Sequence, residues 1–581
     1  MSKNKISIKI GGPAGSGVFT IGLLLSKYFQ RAGLNVIYTT DYPSLIKGGH
    51  NTCCVRAEDD EINAEAVNHD ILVALDSKTI SEDLRFLNKG GILICSDKLE
   101  FDSQEYNVIK LPIASLLGDL DDRYENTLSF GAVVGVMGQN GRLVEMAISA
   151  HFAKKSKEVQ KSNVQAANSG YDFSRKICEE RSCGFLGRIE KCENPLGRRV
   201  FMSGNEAAAL GALKAGVKFV GEYPMTPSSS FLSFFASHEL DYNITTKHTE
   251  DELAAMNMVV GAGAAGVRAM TATSGGGFAL MNEALGMAGI AEVPLVAFEC
   301  QRAGPSTGIP TYTDQGDLKF VLNSSQGEFP LVVLAPGDLE ECFYESFEAF
   351  NVADICQTPV VVLLDKHIAA SHFTTKRFDT SNLKIDRGKY IPLSDKTLEN
   401  YKRHRFTDDG ISPRCVPGQA GGINVCSSYE HDETGWTCEE AENHVKMQEK
   451  RFKKLEAISK EKLVPKMFGP KDADLTLVGW GSTKGPALDA VKHLNDDGFK
   501  VNYMHFIYIN PMDNDGVLKM LEACKDTIML EGNFTAQLRG VIRENTGYYI
   551  EKTFLKCDGR PYYFQEIYDK IRNVMGGGNR K

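Results

Sequence analysis

The sequence predicts an α/β fold made of three successive α/β units. Short β-branched runs alternate with amphipathic segments along most of the 581 residues, a pattern typical of sheets covered by helices. Several of the runs end in glycine-rich turns, where a strand would give way to a helix. Hydrophobic residues make up 42% of the chain and charged residues 24%, which is enough apolar surface for several cores and excludes wholesale disorder.

The first unit is expected to cover residues 1–195 and to hold a mainly parallel sheet. The sequence turns polar between 151 and 199, so we place the end of this unit near Pro195. The alternation of β-branched and amphipathic runs supports the sheet. The predicted strands are 6–10, 35–39, 71–75 and 91–95, and the clearest helix is 18–32.

The second unit is expected to cover residues 196–370. Ser203 and Glu206 form a Ser-x-x-Glu capping box, which predicts that a helix begins there. The predicted strands are 219–221, 269–273, 294–299, 331–334 and 360–364.

A long irregular connection, 371–470, and a third unit, 471–581, complete the chain. The connection has few apolar runs and ends in a predicted helix at 444–459. Regular alternation of strand and helix patterns then returns. The predicted strands are 475–480, 500–506 and 527–530, and the predicted helices are 484–494, 515–523 and 535–544.

Charge and composition exclude several classes of function. The formal net charge is −10, whereas nucleic-acid binders carry a basic surplus. The longest apolar stretch, 253–267, is shorter than the ~20 residues that a membrane-spanning helix requires. No apolar segment follows the first residues as in a signal peptide, so a cytoplasmic protein is expected. The sequence has 14 cysteines in 581 residues, too few for a disulfide scaffold. None of them forms a Cys-x-x-Cys motif, so a metal cluster held by this chain is not expected.

A glycine-rich loop, 11–17, lies between the first predicted strand and the first predicted helix. Glycines allow the backbone to approach a phosphate closely, and a helix N-terminus offers unpaired amides. The spacing is Gly-x-x-Gly-x-Gly, which differs from the dinucleotide fingerprint, and valine stands where a Walker loop requires lysine. The loop is therefore either a tight turn or an anion site formed by Gly12, Gly15, Ser16 and Gly17.

Residues 223–229, Tyr-Pro-Met-Thr-Pro-Ser-Ser, follow the first strand of the second unit. The two prolines fix φ and restrict the residue before each, so Thr226 lies on a stiff, extended backbone with its hydroxyl aimed. The alternative is a rigid strand exit in which Ser228 caps the next helix. On local physics alone, the alternative is favoured.

A carboxylate-rich segment, 249–252, precedes a Gly/Ala-rich helical stretch. Thr249 and Glu252 form a Thr-x-x-Glu capping box. Because the following residues are small and apolar, Glu252 could instead face a dry, packed surface and bond strongly to a ligand nitrogen. One side chain cannot do both, so the sequence leaves the two interpretations open.

Two more loops follow predicted strands of the second unit. Residues 273–278, Thr-Ser-Gly-Gly-Gly-Phe, form a second candidate for close approach of a ligand. Arg302 lies just past an apolar strand, among hydroxyls and Gly/Pro turns, which suits a bidentate grip on a carboxylate. Ligands of such sheets bind at the carboxyl ends of strands. We therefore favour this role for Arg302 over an inter-domain ion pair.

Taken together, these motifs resemble those of a known enzyme family. Tyr-Pro-x-Thr-Pro-Ser-Ser at 223–229, Glu-Asp-Glu at 250–252, Gln-Arg-x-Gly-Pro-Ser-Thr-Gly-x-Pro-Thr at 301–311 and Glu-Gly-Asn-Phe-Thr-x-Gln-Leu at 531–538 occur in this order. The chain resembles the alpha subunit of thiamine-diphosphate-dependent 2-oxoacid:ferredoxin oxidoreductases, with a gamma domain fused at its N-terminus. The resemblance implies a gamma-like domain, a thiamine pyrimidine-binding-like domain and a transketolase C-terminal-like domain.

The resemblance also implies roles for individual residues. In the family, a glutamate at the position of Glu252 bonds the aminopyrimidine ring of the cofactor and so activates it. By the same match Pro224 and Thr226 would contact this cofactor. Met225 and Gly276 depart from the Ile and Pro that are usual in the family. The residues matched to the carboxylate and carbonyl of the substrate are Thr226, Arg302, Thr307 and Thr311.

Partners and cofactors follow from the resemblance as well. The sequence contains no Gly-Asp-Gly, the motif that seats the diphosphate and its Mg²⁺. In two-subunit members this motif and the cysteines of a [4Fe-4S] cluster lie on a beta subunit. We therefore expect thiamine diphosphate shared with a beta subunit, CoA as co-substrate with a phosphate near residues 12–17, ferredoxin as acceptor, and an αβ or (αβ)2 assembly.

Fused chains of this length most resemble 2-oxoglutarate enzymes, which form succinyl-CoA or run in reverse as carboxylating synthases. Pyruvate or a broad 2-oxoacid range remains an alternative. The glycine loop alone would suggest a nucleotide-dependent dehydrogenase, and a non-catalytic assembly protein is the third interpretation.

Overall fold

The computed structural model describes residues 4–45, 48–138, 141–181 and 199–576. Pro195, where we placed the first boundary, lies outside the described residues. The chain divides into two compact units, one formed by Met1–Met202, Ala370–Arg377 and Tyr563–Lys581, the other by Ser203–Ala369 and Phe378–Tyr562. Among the described helices, none combines the length and the apolarity needed to cross a membrane.

The strands form three sheets. In chain order they are β1 (Lys5–Gly12), β2 (Asn35–Asp41), β3 (Asn51–Glu58), β4 (His69–Ala74), β5 (Leu87–Ser96), β6 (Asn107–Leu111), β7 (Arg199–Ser203), β8 (Phe219–Glu222), β9 (Thr245–His248), β10 (Ala269–Thr273), β11 (Leu295–Gln301), β12 (Val332–Leu334), β13 (Pro359–Asp365), β14 (His372–Lys376), β15 (Lys466–Phe468), β16 (Leu475–Trp480), β17 (Val501–Phe506), β18 (Tyr508–Asn510), β19 (Thr527–Glu531) and β20 (Lys552–Leu555).

Helices connect most of the parallel strands. In chain order they are α1 (Val18–Ala32), α2 (Ser77–Asp83), α3 (Ile113–Leu117), α4 (Glu125–Val136), α5 (Gly141–His151), α6 (Lys157–Arg181), α7 (Gly204–Lys214), α8 (Ser230–Tyr242), α9 (Glu252–Ala264), α10 (Gly275–Ile290), α11 (Leu318–Leu322), α12 (Leu339–Cys356), α13 (Lys366–Ala370), α14 (Ala441–Lys453), α15 (Lys484–Asp496), α16 (Asn514–Glu522), α17 (Gln537–Thr546) and α18 (Phe564–Met575).

The first sheet is mixed, which corrects the expectation of a mainly parallel one. Its order is β6-β5-β4-β1-β3-β2-β14-β7. The strands from β6 to β1 run parallel, but β3 pairs antiparallel with both β1 and β2. The sequence pattern misses β3 because Arg56 and Glu58 interrupt it. In the fold these two charges pair with each other at 2.8 Å and are buried together.

The second and third sheets are almost entirely parallel, as the alternating pattern predicts. Their orders are β18-β12-β13-β11-β10-β8-β9 and β15-β17-β16-β19-β20. Only the edge strands β18 and β15 are antiparallel to their neighbours among the described pairings. Buried side chains of both sheets belong to one hydrophobic cluster, which includes Val361 of β13 and Trp480 of β16. The described strands thus form three sheets, two of which share a core. β14, from the predicted irregular connection, belongs to the first sheet, and β18, from the predicted third unit, belongs to the second.

The Ser203–Glu206 capping box forms as predicted and begins α7. The predicted helix at 444–459 is shorter in the structure, where α14 ends at Lys453 and single 3-10 turns follow. The capping box is encoded within four residues. At the end of α14, Lys450 and Lys454 contact the buried Glu292 at 2.6 Å and 2.9 Å.

Between β14 and α14 the chain is largely irregular and is held by buried charges. Asp354 of α12 accepts hydrogen bonds from Arg268 and Arg414, each at 2.8 Å. Glu292 is fully buried; Arg403 of the segment donates to its carbonyl at 2.6 Å, and the His404 ring lies 3.1 Å from its carboxylate. These buried polar contacts tie the irregular segment to the rest of the chain.

Candidate active site

Three predicted site segments follow β8, β10 and β11. These strands are neighbours in the second sheet, in the order β11-β10-β8, and all pair in parallel. The carboxyl ends of parallel neighbours meet at one edge of the sheet, which is where such folds bind ligands. The fold therefore brings Thr226, the start of α10 and Arg302 to one edge.

Glu252 is not a helix cap. The N-cap of α9 is Asp251, whose side chain accepts a hydrogen bond from the Ala254 amide at 2.7 Å. Thr249 instead donates its hydroxyl to the Asp251 carbonyl at 2.9 Å. The predicted Thr249–Glu252 capping box is therefore wrong, because the helix begins two residues later than that box requires. The Glu252 side chain is left available for another partner.

The Glu252 carboxyl is buried without a full set of hydrogen bonds. The residue is 4% exposed, and its Oε1 has no hydrogen-bond partner within the described chain. A buried, unsatisfied acceptor is costly unless a ligand supplies the donor. The carboxyl packs against the first turn of α10, where a Cβ on Gly277 would lie 2.7 Å from Oε1. Only glycine at this position leaves room for the carboxylate.

Arg302 and Thr226 are in direct contact. The Arg302 guanidinium donates to the Thr226 carbonyl at 2.8 Å. Burial lowers the pKa of Arg302, while Asp317 and Glu299 oppose that effect. The Ser228 hydroxyl donates to the Met225 carbonyl at 2.7 Å, and α8 has no side-chain cap. Ser228 thus closes the turn that holds Thr226 and does not cap α8, contrary to the alternative interpretation.

The loop after Arg302 folds back on itself. The Ile309 amide donates to the Ala303 carbonyl at 2.9 Å, and the Ala303 amide donates to the Tyr312 carbonyl at 3.2 Å. This places Thr307 at the exposed tip and Thr311 in a buried position at the base. The structure therefore joins Thr311 to the base of the loop that begins at Arg302, whereas Thr307 projects with the tip.

The sequence analysis missed a set of buried acids around the same edge. Glu222 ends β8, Glu299 lies near the end of β11, and Asp365 ends β13; all are buried. Burial raises the pKa of each of these three carboxyls. An acid that terminates an apolar strand is the sequence signal that could have found them.

Two further acids of this set, Asp314 and Asp317, lie in the loop before α11. Burial, together with Asp317 and Asp365, raises the pKa of Asp314 to about 7. Burial raises the pKa of Asp317 to about 6 against the opposing effects of Glu299 and Arg302. Protonated and ionised forms of both groups are therefore accessible near neutral pH.

In the other compact unit, the glycine loop forms a tight turn into α1. The Ser16 hydroxyl and amide both bond to the Pro13 carbonyl, at 2.7 and 3.2 Å. Gly17 is the N-cap of α1 with φ 85°, and a side chain there would also meet Asn126. The helix has no side-chain cap and no acid in its first turn. The tight turn explains why residue 17 is glycine. The N-terminus of α1, with its unpaired amides, is nevertheless a favourable position for an anion.

Comparisons with known proteins show which family the chain belongs to. Residues 7–173 match the family model described as pyruvate ferredoxin/flavodoxin oxidoreductase. Residues 210–450 match the model described as pyruvate flavodoxin/ferredoxin oxidoreductase, thiamine diphosphate-binding. The alpha subunit of 2-oxoacid:ferredoxin oxidoreductase 2 from Aeropyrum pernix is 32% identical over 99% of this chain and 98% of its own length.

Two more proteins are similar over nearly the whole chain. The 2-oxoglutarate oxidoreductase subunit KorA of Mycobacterium tuberculosis is 29% identical over 98% of this chain and 92% of its own. The solved 2-oxoglutarate:ferredoxin oxidoreductase of Magnetococcus marinus has a TM-score of 0.88 and 28% identity, covering 98% of this chain and 99% of that one. These matches confirm the resemblance and the fold class predicted from the motifs. The chain therefore belongs to the family of 2-oxoacid:ferredoxin oxidoreductase alpha subunits.

Proposed function

We propose that this chain is the alpha subunit of an enzyme that oxidatively decarboxylates 2-oxoglutarate to succinyl-CoA, with ferredoxin as electron acceptor. The supporting relatives include a 2-oxoglutarate oxidoreductase subunit, two 2-oxoglutarate synthase subunits, and a solved enzyme with 2-oxoglutarate, coenzyme A and succinyl-CoA bound. The observation that carries the proposal is the buried Glu252 carboxyl, whose Oε1 has no partner in the described chain, near the start of α10.

Thiamine diphosphate fits the residues at this edge. When bound, it supplies the nucleophilic carbon that reacts with the 2-oxo group. Glu252 offers an unsatisfied acceptor for a ring nitrogen of the cofactor, and the absence of a side chain on Gly277 leaves room for its carboxyl. Pro224 and Thr226 lie in the loop that follows the adjacent strand β8 and would border the same ring.

The substrate would be held by Arg302 and its neighbours. A guanidinium binds a carboxylate through two parallel hydrogen bonds, and Arg302 is already oriented by its contact with the Thr226 carbonyl. Thr226 and Thr311 would donate to the carboxylate and carbonyl oxygens. Thr307 lies at the exposed loop tip, so its assignment to the substrate requires that the tip face the substrate in the assembled enzyme.

CoA is the second substrate of the proposed reaction. We assign the α1 N-terminus to a CoA phosphate, through Gly12, Gly15, Ser16 and Gly17. Support comes from the uncapped helix N-terminus and from Gly15, where a side chain would meet open space. The Ser16 hydroxyl is bonded to the Pro13 carbonyl, so the amides of the loop, not this hydroxyl, would make the phosphate contacts.

A beta subunit would complete the enzyme. We assign to it the Gly-Asp-Gly motif, the Mg²⁺ and the [4Fe-4S] cluster, because this sequence has neither that motif nor any Cys-x-x-Cys. An αβ or (αβ)2 assembly would place the two halves of the cofactor site together. Within this proposal the domain boundaries remain those predicted from the sequence, at about residues 195, 370 and 470.

The decisive experiment is an assay of the purified complex against a panel of 2-oxoacids. The complex is incubated with CoA and a viologen acceptor, and reduction of the dye is followed for 2-oxoglutarate, pyruvate and longer 2-oxoacids. A kcat/KM that is highest for 2-oxoglutarate supports the proposal. A preference for pyruvate would move the assignment to the pyruvate type, and reduction that depends on a nicotinamide would return the dehydrogenase interpretation.

A further inference from the structure

The motif at 531–538, which has no role in the proposed function so far, forms a turn between β19 and the start of α17, called here the motif turn. The Glu531 carboxyl accepts hydrogen bonds from the Leu538 and Arg539 amides, at 2.9 and 3.1 Å. It thereby satisfies amides at the start of α17 that would otherwise lack partners. The Asn533 side chain also donates to Glu531, at 2.8 Å, and both residues are buried. One buried carboxylate therefore fixes the shape of the turn.

Two amide side chains of the motif turn bind the loop between β11 and α11. The Asn533 side-chain nitrogen donates to the Gln315 carbonyl at 3.1 Å, and the Gln537 side-chain nitrogen donates to the Gly316 carbonyl at 2.6 Å. The Gln537 side-chain oxygen accepts a hydrogen bond from the Lys319 amide at 2.8 Å. The turn thus holds both the end of the loop and the first turn of α11.

Gln315 binds the third sheet in return. Its amide donates to the Gly532 carbonyl at 2.7 Å, and its side-chain oxygen accepts from the Gly532 amide at 2.8 Å. Its side-chain nitrogen donates to the carbonyl of Trp480, the last residue of β16, at 3.0 Å. Because β16 and β19 are parallel neighbours, their carboxyl ends meet at one edge. The loop is fixed to that edge.

The same loop carries the residues to which we assign the substrate. Arg302 begins it, and Thr311 follows at the base of its projecting part. At its far end the Asp317 amide donates to the Gln301 side-chain oxygen at 3.1 Å, which ties the loop back to β11. The loop is therefore closed at β11 and held at the third sheet, with Arg302 and Thr311 between these attachments and the substrate.

We propose that Asn533 and Gln537 are positioning residues for the 2-oxoacid, which hold the loop so that Arg302 and Thr311 meet the substrate in the binding geometry. This inference rests on the proposed function. Neither residue touches the substrate in this proposal. Their effect on turnover comes from placement, because a displacement of about 1 Å in a binding group can lower a rate by as much as about 10²-fold.

The first test is Gln537→Ala in the assembled complex. This substitution removes both side-chain hydrogen bonds from Gln537 to the loop and to α11, and leaves the Glu531 carboxyl in place. We expect kcat/KM for 2-oxoglutarate to fall roughly tenfold or more, with the KM for CoA unchanged. A melting temperature that falls while kcat/KM for 2-oxoglutarate stays at the wild-type value would mean that Gln537 is only structural, and would overturn the proposal.

The matched control is Asn545→Ala on the same helix. The Asn545 side chain donates to the Val541 carbonyl at 2.9 Å, within α17. The substitution therefore removes a side-chain hydrogen bond of α17 without removing one to the loop. Wild-type kinetics with both substrates are expected. A loss of kcat/KM equal to that of Gln537→Ala would show that any weakening of α17 suffices, which contradicts a specific role of Gln537.

A double-mutant cycle tests whether Gln537 acts through Arg302. If it does, Gln537→Ala should lower kcat/KM for 2-oxoglutarate less in an Arg302→Ala background than in the wild type, because the group that it positions is already absent. Losses of equal size in the two backgrounds would show independent effects and overturn the proposal.

Hydrogen exchange of the full-length chain gives a readout that does not depend on activity. In Gln537→Ala the amides of residues 303–319 should exchange faster than in the wild type, whereas those of β11 should remain protected. In Asn545→Ala the loop should exchange at the wild-type rate. Unchanged exchange of the loop in Gln537→Ala would overturn the proposal. If the wild-type complex turns over no 2-oxoacid, the proposed function fails, and the exchange rates still decide whether the motif turn holds the loop.

Discussion

At the scale of single residues, the site is defined by which polar atoms the fold leaves without partners. Asp251 satisfies the start of α9, so the adjacent Glu252 is released from capping. It remains buried, and its Oε1 has no hydrogen-bond partner among the described residues. Local sequence could not separate the two roles, because both acids stand within one turn of the helix start. The side-chain direction imposed by α9 separates them.

Replacing Glu252 by Gln should reduce turnover without destabilising the chain. The amide keeps the shape of the side chain and removes the charge, so we expect a loss of about 10²-fold or more in kcat, the scale of a positioned acid–base group. The melting temperature should change little, since Asp251 is the cap. Turnover of the assembled complex and thermal unfolding of the same preparation are the two measurements.

The matched control is Asp251→Ala, which removes the cap and leaves the Glu252 side chain in place. It should cost about 1 kcal/mol of stability and affect kcat much less than the Glu252 variant. If Glu252→Gln keeps wild-type turnover, the assignment of this glutamate to the cofactor is wrong.

Arg302→Lys should be almost as damaging as Arg302→Ala. A lysine ammonium is a point charge and cannot make the two parallel bonds of a guanidinium with one carboxylate. The defect should appear as a higher KM for the 2-oxoacid, with the KM for CoA unchanged. Steady-state kinetics with each substrate varied in turn measure both. A lysine variant with a wild-type 2-oxoacid KM would exclude bidentate binding at this position.

At the scale of elements, buried charge organises the part of the chain that has the least regular structure. Residues 377–440 contain few hydrogen-bonded bridges, and most of them are exposed or partly exposed, but Arg403, His404 and Arg414 are buried. Arg268 and Arg414 both bind the buried carboxylate of Asp354 on α12. A single acid thereby connects the irregular segment to the helix and to the loop before β10.

Asp354→Ala should destabilise the chain strongly and locally. Removing this carboxylate leaves buried guanidinium groups without a counter-charge, which costs about 3 kcal/mol or more. Hydrogen exchange should speed up around residue 414 and remain slow in β10 and β11. Denaturant unfolding and hydrogen-exchange mass spectrometry measure the two effects.

The control for this substitution is Lys446→Ala, which breaks an exposed ion pair with Glu442 on α14. Exposed pairs contribute little because water screens them, so no change in unfolding midpoint is expected. If the two substitutions lower the unfolding midpoint equally, burial does not determine how much these ion pairs contribute to stability.

At the scale of the whole molecule, the proposed function gives this chain half of a reaction centre. In that proposal Glu252 serves the ring end of thiamine diphosphate, whereas the sequence has no Gly-Asp-Gly for the diphosphate end and no Cys-x-x-Cys for a cluster. Exposed apolar side chains on the helices that border the site, such as Leu253, Met258 and Leu280, are compatible with coverage by another subunit.

Expressed alone, the chain should be colourless, free of stoichiometric iron and inactive with 2-oxoacids. Co-expression with a cysteine-bearing beta subunit should yield a brown complex that reduces ferredoxin when 2-oxoacid and CoA are added. The interface should be large and apolar, because it must keep water from the activated cofactor. Iron analysis, absorbance and turnover are measured for both preparations. Stoichiometric iron with turnover in the lone chain would overturn the two-subunit proposal.

The sequence by itself determined the three α/β units, most of their strands, the Ser203–Glu206 cap and the family, because these depend on periodicity and on short motifs. Only the tertiary structure decided the antiparallel β3, the identity of the α9 cap and the buried acids at the strand ends. Arg56 and Glu58 are tolerated in a strand because they are buried together and pair with each other. Asp251 caps α9 because the helix starts at Glu252, and Glu299 becomes notable only once the fold buries it. Local patterns report which side chains are polar, whereas burial and contact determine what their charges do.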